Sequence, residues 1–356
     1  MKVFLKILCI LILIVLITDI AGSFYFYHIS VARTSKDFLA NDSALINEIA
    51  AENISVSPAD VPANAKLYST MQEAQPEAQP EAQPGEQQNE QQEEQQVEQI
   101  ETGWFSNQPY EEVSITSEDG LKLAGYYLGA IVPTNKTAIL AHGYSSQGTY
   151  MGSYAKIYYD MGYNVLLPDD RGHGRSEGNF IGFGWTDRKD YLKWIDFIIN
   201  RVGQDSQIVL HGVSMGGATV LMTGGELLPT AVKAIVSDCS YTSVQAELEY
   251  QLKRLYNLPA FPILDSTSLL SKIRAGYSFK EASALEQVKR SKTPTLFIHG
   301  DADKFVPFSM VYELYEACTS EKDIYIVPGA GHGAAFDTDT AGYRNKVGEF
   351  VGKYVN

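Results

Sequence analysis

A single serine stands among glycines in Gly212-Val213-Ser214-Met215-Gly216-Gly217, directly after the apolar run Gln207–Leu210 and before the helix-like stretch Gly217–Gly224. Glycine weakens strand and helix interiors, so a cluster of them needs a steric reason. The G-x-S-x-G form supplies one. It fits a strand-to-helix turn so sharp that the serine is strained and its hydroxyl exposed. Glycines two residues away on each side remove the Cβ atoms that would strike strand and helix. Ser214 is therefore a candidate nucleophile, and a nucleophilic hydroxyl needs a base that is itself oriented by a carboxylate.

Six histidines compete for the role of base. His28 lies near an apolar N-terminal run. His142, His211 and His299 each end an expected strand, and His173 sits on a loop in Arg171-Gly-His-Gly-Arg-Ser176. His332, in Pro328-Gly-Ala-Gly-His332-Gly, follows the last expected strand on a glycine-rich loop able to fold over the sheet end, and it is the expected base. For the carboxylate, His299-Gly-Asp301-Ala-Asp303 offers two positions. Asp301 suits a turn cap, whereas Asp303 lies further out, where it reaches toward the histidine. Asp303 is the expected partner, with Asp238 in reserve.

The elements that must hold these groups can be read from periodicity. Glu112–Thr116 and Leu121–Leu128 alternate around Ser117-Glu-Asp-Gly120, the pattern of a hairpin. Further strands are expected at Thr137–Ala141, Asn164–Pro168, Gln207–Leu210, Val232–Ser237, Thr295–Ile298 and Asp323–Val327, with helices such as Gly148–Met161 and Thr186–Val202 between them. Strand–helix alternation of this kind implies an α/β fold with a mostly parallel sheet covered on both faces. Ligands in such sheets collect at the carboxyl ends of the strands.

From about Tyr110 to its end the chain resembles the α/β-hydrolase family. The resemblance rests on the Ser–Asp–His order, the elbow, Asp-Arg-Gly-His-Gly-x-Ser at 170–176, and the HGDADxxVP and GxGH segments. It is similar above all to membrane-anchored bacterial members near the serine aminopeptidase-like and monoglyceride-lipase-like branches. The resemblance implies Ser214 as nucleophile, His332 as general base and then acid, and Asp303 as the group that fixes the imidazole tautomer. It also implies an oxyanion hole made by the backbone N–H groups of Met215 and Tyr144, the latter in His142-Gly143-Tyr144-Ser145. His142 and Arg171 match positions that are mainly structural.

The expected activity is hydrolysis of a carboxylic ester or related acyl bond through an acyl-enzyme, with no cofactor and no metal. A peptidase or amidase of the same fold is the alternative, because esters and amides share the tetrahedral chemistry. A catalytically silent binding module would be expected to have lost a triad member, and none is missing. The segment Tyr241–Phe279 should form a small helical cap, in which Val244, Leu248, Leu252 and Leu255 make one apolar face. That face either binds an acyl chain or packs the cap on the sheet. The expected substrate is a small-molecule or lipid-like acyl compound.

The formal charge of −15 is unevenly spread: 13 acidic residues and no basic one lie between Lys66 and Lys122, so the rest is close to neutral. No basic patch remains to point to nucleic acid. Cys9, Cys239 and Cys318 have neither disulfide-framework nor zinc spacing. At the N-terminus Lys2 and Lys6 precede Ile7–Ile17, and after Thr18-Asp19 the apolar run resumes to Phe24-Tyr25-Phe26-Tyr27. Ile7–Tyr27 is long enough for a signal-anchor, with its aromatic end suited to an interface. The chain is thus expected at the cell membrane, single-pass, with the catalytic domain outside; cleavage near Ser23 and secretion is the alternative. Residues 30–70 read as a stalk, with Val31–Ala51 loosely helical. Residues 71–102, with three Glu-Ala-Gln-Pro repeats, have almost nothing apolar to bury and read as a disordered linker. The linker is either a tether or a drifting insert. The expected domains are 1–29 membrane segment, 30–70 stalk, 71–102 linker and 103–356 hydrolase, with the cap at about 241–279.

Overall fold

The computed structural model describes residues 2–34 and 103–356. The linker expected at 71–102 and all but the first residues of the stalk lie outside the described residues. The strands are β1 (Glu111–Thr116), β2 (Lys122–Leu128), β3 (Lys136–Ala141), β4 (Asn164–Pro168), β5 (Gln207–Val213), β6 (Val232–Asp238), β7 (Thr295–Gly300) and β8 (Lys322–Val327). They form one sheet in the order β1-β2-β4-β3-β5-β6-β7-β8. β1 and β2 make the expected hairpin and β2 is antiparallel to β4, while every pair from β4 across to β8 is parallel.

The two-residue period of each strand divides the core. In β3, Ile139 and Ala141 join one apolar layer while Ala138 and Leu140 join the other. After α1 (Lys2–Ser30) come α2 (Gly152–Asp160), α3 (Asp187–Val202), α4 (Met215–Gly224), α5 (Val244–Tyr256) and α6 (Ile263–Arg274). The chain continues with α7 (Ala284–Val288), α8 (Ser309–Ala317), α9 (Ala335–Thr338) and α10 (Thr340–Val351). Helices α2 and α10 cover one face through Ile157, Tyr158, Val347 and Phe350. Helices α3, α4, α7 and α8 cover the other, with Trp194, Ile198, Leu221, Val288 and Val311. α4 is buried on every side, as expected of a helix enclosed between sheet and neighbours. α5 and α6 fill the interval between β6 and β7 where the cap was expected.

The N-terminal segment departs most from expectation. α1 is 29 residues long, and its second part is docked along one side. Phe4, Leu8, Leu11, Ile14 and Ile17 are exposed, whereas Ser23, Tyr27 and Ser30 are buried against the domain. Asp19 Oδ2 accepts a 2.6 Å hydrogen bond from Ser266 Oγ, and Gly22 lies against Ile263. The chain then stays on the domain: Val31 is fully buried, Ala32 bridges Phe180, and Ile181 N–H donates to Val31 O. Exposed apolar side chains continue past Ile17 at Ile20, Phe24 and Tyr25, on the side of the helix turned away from the domain. Among the described residues no helix is long and apolar enough to cross a membrane. The span expected at Ile7–Tyr27 is thus divided, and the stalk expected from residue 30 begins as docked chain.

Candidate active site

The elbow has the geometry its glycines require. Ser214 links β5 to α4 at φ 57, ψ −117, a strained conformation for a residue with a side chain. A Cβ on Gly212 would lie 2.1 Å from Gly216 O, and one on Gly216 would lie 2.0 Å from Ala141 O. Neither position admits a side chain, because the obstacle is backbone. Ser214 N–H donates to Asp238 O at 2.9 Å, tying the elbow to the end of β6.

Three side chains far apart in the chain meet at this rim. Ser214 Oγ donates to His332 Nε2 at 2.8 Å, and His332 Nδ1 donates to Asp303 Oδ2 at 2.8 Å. His332 reaches the serine from the loop after β8, Asp303 from the loop after β7. Burial opposes ionisation of Asp303, yet the His332 and His299 rings and their hydrogen bonds hold its carboxyl well below the usual carboxylate range. Its other oxygen accepts from Phe305 N–H at 2.8 Å and Val306 N–H at 2.9 Å. Burial also opposes charge on His332, but the Asp303 carboxylate outweighs it and raises the imidazole well above its ordinary value.

Asp303 has a second imidazole that the residue pattern did not single out. His299 Nε2 lies 3.0 Å from Asp303 Oδ2, with both side chains fully buried. The signal in the sequence is a histidine four residues before an aspartate, which the position of His299 at a strand end masks. Cys239 adds a third buried neighbour: its sulfur, an Asp303 oxygen and a His332 nitrogen lie within 4.8 Å of one another. Burial pushes that thiol up to about 11, and Asp303 and His332 are committed to each other.

The other candidates hold structure. Asp301 Oδ1 accepts from Gly329 N–H at 2.7 Å, a turn cap as expected. Asp238 accepts from Tyr343 OH at 2.9 Å, and burial raises its carboxyl to about 6. His142 accepts from Asp170 N–H, and His211 lies between Tyr158 OH and Tyr343 OH. Arg171 pairs with Asp190 at 2.7 Å and Asp119 at 2.9 Å, bracing the 170–176 loop.

Met215 and Tyr144, the expected oxyanion donors, both border the cleft that contains Ser214. Met215 heads α4, and a Cβ on Gly143 would be 3.6 Å from Ser214 Cβ, so the loop after β3 passes directly beside the nucleophile. The cleft is open and mostly apolar, with about 830 Å³ of empty space counted together with the solvent at its mouth. Its cap wall is Leu248, Leu252 and Leu255 of α5, while Val244 is fully buried in the core. The apolar cap face therefore both packs on the core and lines the cleft. Glu247 is the carboxyl on this wall. Burial raises it to about 7, and its Oε2 has no hydrogen-bond partner. Phe26 and Ile29 of α1 also line the cleft. The aromatic cluster read as a membrane-interface belt is therefore partly a wall of the site.

A largely parallel sheet in this order, with serine, aspartate and histidine brought together beyond its strand ends, defines an α/β serine hydrolase. Residues 149–356 match the prolyl oligopeptidase family, and the chain belongs to that family. It is 31% identical over 237 residues to the uncharacterized protein YqkD of Bacillus subtilis, covering 67% of this chain and 77% of that protein. It is 27% identical over 236 residues to the lysophosphatidylserine lipase ABHD12 of Danio rerio, covering 63% and 57%. The fold is shared with the Pyrococcus furiosus esterase Pf2001, at TM-score 0.59 and 24% identity, over 71% of this chain and 93% of that one.

Proposed function

We propose that the protein hydrolyses carboxylic esters through an acyl-enzyme at Ser214. The observation that carries this reading is the continuous hydrogen-bonded chain from Ser214 through His332 to Asp303, with its hydroxyl end in an apolar cleft. Ser214 Oγ attacks the ester carbonyl as His332 Nε2 takes its proton. The Asp303 carboxylate stabilises the imidazolium. The negative oxygen of the tetrahedral intermediate is held by the Met215 and Tyr144 N–H groups, each such donor contributing about 3 kcal/mol. His332 then returns the proton to the leaving alkoxide, and a water deprotonated by the same imidazole releases the acid. The apolar walls suit an acyl chain, and the relation to a lysophosphatidylserine lipase supports a lipid-like substrate.

A peptidase reading is favoured by one feature besides the family. Glu247, a cleft-lining residue, has a buried carboxyl oxygen without a partner, which pairing with a bound amino terminus would satisfy. Turnover of p-nitrophenyl butyrate against alanine p-nitroanilide separates the two readings. Turnover of the anilide alone would reject the esterase assignment. Fluorophosphonate labelling that survives Ser214→Ala would reject the nucleophile.

The place of action in this reading is the cell membrane, with the exposed apolar face of α1 as its point of attachment. The exposed apolar first half of α1, behind Lys2, supports membrane attachment. The burial of Ser23 and the Asp19–Ser266 hydrogen bond favour retention of the segment over cleavage. Fractionation with external protease tests this, and a soluble enzyme lacking its first residues would reject it.

A further inference from the structure

The docked half of α1 touches the site at three levels. Phe26 packs edge-on against Tyr256 of α5, with ring centroids 5.3 Å apart, and with Ile29, three residues on, it faces the cleft. Arg274 of α6 lies over the rings of Phe24 and Tyr27 at 5.3 and 5.6 Å. At the C-terminal end of α1, Tyr144 OH donates to Ser30 O at 2.7 Å. Tyr144 belongs to the loop beside Ser214, so the helix is fastened to the oxyanion side of the site as well as to the cap. α6, which packs on α1, leaves Leu269 63% and Ile273 74% exposed, one turn apart. The elements meeting at the cleft thus carry apolar surface outward as well as inward.

We propose that α1 is a working part of the active site: its docked half walls the acyl cleft while its exposed half lies in the bilayer, so that the cleft takes single-chain acyl esters from the membrane surface. This rests on the esterase reading above and deepens it. A long acyl chain leaving a bilayer through water loses apolar contact at every exposed methylene. An apolar path along one continuous helix lets the chain pass into the cleft without that loss. The docking of Asp19–Ser30 holds this path in register with Ser214. It also explains why an apolar N-terminal segment has half its length committed to protein rather than to lipid.

The test uses the full chain in phosphatidylcholine vesicles, with monopalmitoylglycerol in the vesicles and p-nitrophenyl acetate in the water, and Ser214→Ala as blank. Ile29→Trp narrows the cleft and is expected to lower the ratio of palmitoyl to acetyl turnover about tenfold. Ile29→Phe gives the same reading, more mildly, if the tryptophan variant fails to fold. Leu11→Glu combined with Ile14→Glu, on the exposed half of α1, is expected to keep acetate turnover and to lose about tenfold on the vesicle substrate. An unchanged ratio in the Ile29 variants, or vesicle turnover indifferent to the Leu11 and Ile14 changes, overturns the role of α1 while leaving the esterase standing. A wild-type chain that hydrolyses neither ester overturns the esterase reading, and this inference with it.

Discussion

Two loops at the rim of this sheet place a histidine between glycines, and they do opposite things with it. Gly172-His173-Gly174 follows β4, and Gly331-His332-Gly333 follows β8. His173 is 6% exposed, its Nδ1 is 3.1 Å from Arg171 O, and its ring meets His142 edge-on. Gly174 is needed there because a Cβ would fall 2.3 Å from the Asp169 carboxyl, which itself accepts from Gly148 and Arg175 N–H. The loop is a closed knot of backbone bonds around one aspartate, stapled by Arg171. The second loop is pinned at its base, where Gly300 allows Ala330 O to approach. Its histidine projects between a carboxylate and a hydroxyl. Similar local sequence yields a buried brace in one place and, in the function proposed above, a proton carrier in the other, because the difference lies in what each imidazole faces.

The sharpest way to break this contrast is to remove each imidazole in turn. Ser214→Ala and His332→Ala are expected to lower kcat for p-nitrophenyl butyrate by about 10⁶-fold, while His173→Ala stays within about tenfold of wild type. A His173→Ala enzyme as inactive as His332→Ala would erase the distinction. Asp303→Asn should follow with a loss of about 10⁴-fold and a displaced pH profile. His332 acts as base only when neutral, so activity rises as pH climbs through its pKa. The Asp303 carboxylate raises that pKa, and removing the charge should move the acid limb of kcat/KM to lower pH. A limb that stays in place would mean that another group limits the rate.

The bracing loop should respond in stability rather than in chemistry. Arg171→Ala leaves the buried Asp190 carboxylate unpaired and is expected to cost about 3–5 kcal/mol in urea unfolding, with kcat nearly retained in the folded fraction. The smallest effect is expected at Glu247, between the two loops in character. Burial raises its folded carboxyl to about 7 from an ordinary 4.5. The folded state therefore holds a proton that the unfolded chain gives up, and stability should fall as pH rises from about 4.5 to 7. Glu247→Gln should remove that slope, up to about 3 kcal/mol, in unfolding curves compared at pH 5 and pH 8. Parallel curves for the two proteins would place Glu247 in better contact with water than its burial implies.

Much of the catalytic rim could be read from residue order because its constraints are local. Gly212 is dictated by the backbone of Gly216 four residues on, while Gly216 answers to Ala141 of the neighbouring strand, and each strand announces itself by a short apolar run. Aspartate and histidine loops then follow strand ends in order. Asp301 and Asp303 could likewise be told apart by distance along one loop. The second imidazole on Asp303, the depth of Glu247 and the path of α1 were not available in this way. An apolar helical face has the same pattern whether lipid or protein covers it, so Phe24–Tyr27 fits both a membrane interface and a cleft wall. Choosing between them takes the packing of Ile263, Ser266, Tyr256 and Arg274, residues more than two hundred positions distant. Periodicity records which side of an element is apolar. What lies against that side is settled by long-range packing, where shape and desolvation act between segments that carry no local trace of one another.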